Sequence, residues 1–80
     1  MTRTEISEEI IKEIKKIAED DSLELTDDTV IEEISDWDSL NNVDLEMALE
    51  TSCKIDFEVG EFEELKTVGA MIDTVANKVD

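Results

Sequence analysis

DWDSLNNVDLEMALETSC, residues 36–53, is the stretch on which the reading of this chain turns. Two good N-capping residues, Asp38 and Ser39, stand where an apolar pattern begins, so a helix is expected from one of them to about Ser52. At about 100° per residue its apolar side chains fall into two stripes. Leu45, Leu49 and Cys53, with Ala48 near them, lie on one side; Leu40, Val43 and Met47 lie on the other. A single stripe is enough to seat a surface helix, so the second must bury against another element or face a partner.

Upstream, Ile6, Ile10, Ile14 and Ile17 recur at spacings of three and four, widened by Ile11 and Ala18, with Lys12, Lys15 and Lys16 on the wet side. The spacing predicts an amphipathic helix from about Thr4 to Asp20. Between Asp20 and about Asp36, isolated Leu23, Leu25, Val30, Ile31 and Ile34 alternate irregularly with carboxylates. That pattern predicts a long loop pinned to the core at intervals, a length that usually has a role or contains short helical turns. Downstream, Ile55 to Leu65 reads as a connector with one helical turn, and Thr67 caps a last helix ending near Asn77 to Val79 on Val68, Met71, Ile72, Val75 and Val79. The expected fold is all-α: a small bundle of three main helices plus a short extra one, with a long loop between the first two. With 80 residues, no proline and neither repeat nor linker, residues 1–80 are expected to form one domain.

Twenty-four acidic against seven basic residues give a formal charge of −17, which repels nucleic-acid phosphates and anionic headgroups and favours basic protein partners. Neither nucleic-acid binding nor membrane insertion is expected. The charge is not read as disorder, because 40% of the residues are hydrophobic and arranged with clear periodicity. The lone Cys53 cannot pair internally, and no signal-peptide h-region or bilayer-spanning run is visible, so a reducing cytoplasm is the expected compartment.

The chain has no histidine, which removes imidazole acid–base catalysis and histidine metal ligation. Ser39 has no nearby base to activate it, so no catalytic residue and no enzymatic activity are expected. The best calcium-loop window, starting at Asp36, puts Leu40 at the fifth position and Asn41 where a glycine is needed, so no metal site is assigned beyond weak surface binding of divalent cations. Cys53 has no cation or helix start nearby and reads as a small buried hydrophobe. Trp37 reads as an anchor that packs the loop on the core edge. Taken alone, Ser39 would be an ordinary N-cap.

Asp38-Ser39-Leu40 in this frame resembles the acyl carrier protein family, whose mark is Asp-Ser-Leu at the start of its second helix. Val43, Asp44, Leu45, Met47, Ala48, Leu49 and Glu50 match that family's helix-two pattern, Ile55-Asp56-Phe57 its next loop, and Leu65-Lys66-Thr67-Val68 the entry to its last helix. From Asp36 to Val79 the match needs no gap. Three departures stand out. Asp36 occupies a position where the family usually has glycine, Cys53 one where it often has a large apolar residue, and the stretch between Asp27 and Ile34 needs one inserted residue.

The resemblance implies that Ser39 carries a covalent 4'-phosphopantetheine arm taken from coenzyme A, whose thiol holds acyl groups as thioesters. A phosphodiester there would meet the free N–H groups and positive dipole end of a helix start. Implied partners are a phosphopantetheinyl transferase and acyl-activating or acyl-transferring enzymes and synthases with basic docking patches. They would meet Asp38, Leu40, Val43, Asp44, Met47 and Glu50 on a monomeric carrier. Fatty-acid, polyketide or related synthesis is the implied setting; a peptidyl or aminoacyl carrier of nonribosomal synthesis and an unmodified acidic interaction module are the alternatives.

Overall fold

The computed structural model describes residues 1–79, so Asp80, the last residue of the expected domain, lies outside it. Three helices, α1 (Arg3–Ala18), α2 (Ser39–Cys53) and α3 (Val68–Val79), are joined by loops that each carry one 3-10 turn, Ile31–Glu33 and Phe62–Glu64. No strand occurs among the described residues; one antiparallel bridge pairs Val30 with Thr67. This is the expected all-α bundle, with the long loop in place and a short turn in each connection.

α1 starts one residue earlier than the periodicity indicates. The Thr2 hydroxyl accepts from the Glu5 amide while the Glu5 carboxylate accepts from the Thr2 amide, a reciprocal cap that satisfies both exposed donors. The helix stops at Ala18 rather than Asp20 because Glu19 turns into the left-handed region at φ 56°. Lys15 and Lys16 occupy its last turn, where the helix dipole favours cations.

α1 packs against both α2 and α3. Ile6, Ile10 and Ile14 of α1, Leu45 and Leu49 of α2, and Val68, Met71, Ile72 and Val75 of α3 are fully enclosed. Ile31 and Phe62 reach the same core from the two 3-10 turns. Each such side chain contributes roughly 1.5–3 kcal/mol of burial, so the loops are held by their own apolar residues.

The long loop is also fastened by its backbone. Ile31 donates to the Lys66 carbonyl at 3.0 Å, Val68 to Thr29 at 3.0 Å and Gly69 to Asp27 at 2.9 Å. The Thr67 hydroxyl accepts from the Ala70 amide and so caps α3, as its position in the sequence suggests. Residues 27–31 therefore run beside the start of α3, across the bundle end from which α2 begins.

Candidate functional site

The start of α2 separates the roles of two adjacent residues. Asp38 is the N-cap: its carboxylate accepts from the Asn41 amide at 2.9 Å, and the Asn41 side-chain oxygen accepts from the Asp38 amide at 2.9 Å. Ser39 is thereby excused from capping. It sits at the first helical position, exposed, and none of the described hydrogen bonds uses its hydroxyl. The amides of Ser39 and Leu40 likewise have no acceptor among the described residues, as expected for the first turn of a helix.

The two residues before the cap shape the approach. Asp36 adopts a left-handed φ of 63°, a backbone that glycine enters freely and that aspartate tolerates better than most residues. Trp37 is half-buried against the core, as its sequence position implies, but its indole Nε1 is buried without a hydrogen-bond partner.

Beyond Ser39, the outer stripe of α2 is open to solvent: Leu40, Val43 and Met47 are 72%, 49% and 59% exposed. The inner stripe, Leu45, Leu49 and Cys53, is buried. Asp44 stands beside the outer stripe, fully available. Glu50 does not match it. Its Oε2 accepts from the Phe57 amide at 3.0 Å in a partly buried contact, so this carboxylate also ties α2 to the following loop. Farther along that loop Phe57 meets Phe62 edge-to-face at 5.0 Å, and Lys78 lies over the Phe57 ring while pairing with Glu61 at 2.9 Å.

A cleft of about 530 Å³ opens beside Ser39, between the first turns of α2 and the two 3-10 turns. Trp37 and Val43 supply apolar wall; Glu46, Glu63, Glu32 and Lys66 supply charge. Burial pushes the Glu46 carboxyl up, and the neighbouring Glu50 and Glu63 carboxylates push it the same way. Lys66 donates to Glu32 Oε1 at 2.9 Å. Glu46, Glu63 and Lys66 do not stand out in the sequence. Glu46 could have been found at helical spacing from Val43 and Glu50, but Glu63 and Lys66 come from chain far from Ser39.

Cys53 lies on the opposite, packed side. Burial raises its thiol above the ordinary range and outweighs the Ser52 hydroxyl, which lowers it, while Glu9 and Glu13 add to the rise, so it stays a neutral core residue.

No helix among the described residues is long and apolar enough to cross a membrane. No family model matches the chain. Among solved structures it is similar to the solution NMR structure of the holo acyl carrier protein from Geobacter metallireducens, with a TM-score of 0.80 and 36% identity over 91% of this chain and 84% of that one. A fold shared over nearly the whole length at that identity, with a free serine opening a helix whose outer face is bare, places the chain in the acyl carrier protein family, as a carrier and not an enzyme.

Proposed function

We propose that Ser39 is the attachment point of a 4'-phosphopantetheine arm and that residues 1–80 act as a single carrier domain. The observation that carries this reading is the division of labour at the α2 start: Asp38 caps the helix, leaving the Ser39 hydroxyl exposed and unbonded. The residues present fit the group. The unpaired amides of Ser39 and Leu40 suit a phosphate at this helix start, and the adjoining cleft offers room for the arm's root. When attached, the arm supplies a thiol that holds acyl groups as thioesters; the protein supplies the anchor and the surface that other enzymes read.

That surface is Leu40, Val43 and Met47 with Asp44 beside them and Asp38 at the helix start. An exposed apolar strip edged by carboxylates suits a basic, partly apolar patch, with charge speeding encounter and apolar contact holding the complex. The partners of this reading are a phosphopantetheinyl transferase and acyl-activating or acyl-transferring enzymes and synthases. Glu50 belongs to this set less than its position suggests, because its carboxylate is engaged with Phe57. Fatty-acid, polyketide or related synthesis in the cytoplasm is the setting assigned, with Asp38 before the serine supporting an acyl over a peptidyl carrier.

The test is direct. Incubation with coenzyme A and a phosphopantetheinyl transferase should raise the intact mass by one arm, and Ser39→Ala should abolish the gain. A peptide map that put the arm on Ser7, Ser22, Ser35 or Ser52 would refute the assignment.

A further inference from the structure

We infer that Lys66 holds the phosphate of the Ser39-bound arm, leaving Glu32 to do so; this rests on the reading that Ser39 is loaded. Lys66 and Ser39 line the same cleft, and among its described lining residues Lys66 is the only cation, facing Glu32, Asp38, Glu46 and Glu63. No lysine or arginine lies between Lys16 and Lys54, so α2 itself has no cation to offer. A phosphodiester on Ser39 adds negative charge to a rim already short of compensation, where Glu46 is shifted upward by burial and by neighbouring carboxylates.

The lysine is built to change partners. Its backbone is fixed, because its carbonyl accepts from Ile31 at 3.0 Å beside the Val30–Thr67 bridge. Its side chain is exposed, and its single bond to the equally exposed Glu32 is 2.9 Å. An exposed pair of this kind biases an equilibrium by no more than about fivefold, and a lysine stem lets the ammonium swing about a fixed Cα. A phosphate on Ser39 offers the ammonium charge-assisted bonds in competition with Glu32. Glu32 is left unpaired on loading, so the first 3-10 turn keeps its charge but loses its ion pair in the loaded carrier.

The experiment loads wild type, Lys66→Gln, Lys66→Arg and Glu32→Gln from coenzyme A, checks each by intact mass, and records ³¹P NMR of the loaded proteins from low to high salt. Salt should move the wild-type phosphorus resonance as the contact is screened, and this response should vanish in Lys66→Gln and persist in Lys66→Arg. In Glu32→Gln, where the competitor is gone, the ratio of phosphate-bound to unbound Lys66 should rise by about two- to fivefold. The side-chain carboxylate ¹³C resonance of Glu32 should move on loading in wild type and stay put in Lys66→Gln. The same phosphorus response in all four loaded proteins overturns the inference and leaves the Ser39 reading standing. No mass gain in wild type overturns both. If Lys66→Gln fails to fold, Glu32→Gln decides: a response equal to that of wild type refutes the exchange.

Discussion

The Gly69 amide donates to the Asp27 main-chain oxygen at 2.9 Å, and a Cβ at Gly69 would lie 3.0 Å from that oxygen and 3.2 Å from the Asp27 Cβ. α3 and the long loop meet here at a distance that leaves a Cβ little room. Gly69→Ala gains up to about 1 kcal/mol of helix propensity but crowds a carbonyl that hydrogen bonds hold in place, which costs roughly 1–3 kcal/mol. A net loss of about 1 kcal/mol is expected in urea denaturation, with faster amide exchange at Val68 and Ile31. A stabilised variant would show that the loop can yield.

Asp36 holds a left-handed backbone two residues before the α2 cap. Asp36→Gly relieves that conformation and should stabilise the protein by about 0.5–1 kcal/mol, whereas Asp36→Val should lose more than that. Thermal melts of the pair check the sign, and a Val variant as stable as wild type would contradict the backbone assignment.

Glu50 fastens α2 to the following loop through the Phe57 amide. Glu50→Ala should cost about 1 kcal/mol, since the contact is charged but only partly buried, and should speed hydrogen exchange at Phe57. Glu50→Lys should do the same, so slower acyl transfer in that variant is not by itself evidence of docking.

Asp44 and Met47 give the cleaner test of the outer face, because neither makes a described hydrogen bond or ion pair and both are exposed. Asp44→Lys should slow arm attachment severalfold at low salt and little at high salt, since screening removes the steering. Met47→Ala should weaken docking by roughly tenfold or less without changing that salt dependence. Both should melt within about 0.5 kcal/mol of wild type. Loss of the fold in Met47→Ala would place this stripe in the core.

Glu46 predicts a pH effect opposite to that of a salt-bridged carboxylate. Burial first, then the charges of Glu50 and Glu63, hold its folded pKa above the ordinary glutamate value, so the unfolded chain binds fewer protons at this site than the folded one. Stability from this group falls as pH rises from about 4.3, the unfolded value, through the raised folded value, and stays lowered above it. Glu46→Gln should therefore be more stable than wild type at pH 7, and the difference should close as pH falls below about 4.3. A gap that widens on acidification would reverse the sign.

Periodicity and capping chemistry were enough to place the three helices, because an apolar stripe at helical spacing has only one way to be buried and Thr67 marks its own helix start. The Asp-Ser-Leu frame likewise singled out Ser39. Local signals could not say which of Asp38 and Ser39 caps α2, since both residue types do so equally well. The reciprocal bonds between Asp38 and Asn41 settle it, and with it the freedom of the serine hydroxyl. Nor could they separate the two stripes of α2. Which one is buried depends on where α1 and α3 lie, and only the packed bundle leaves Leu40, Val43 and Met47 in solvent. The bonds of Glu50 and Lys66 were hidden for the same reason: their partners, Phe57 and Glu32, are 7 and 34 residues away. Helix signals act over three or four residues, while contacts of that span exist only once the loops have closed onto the core.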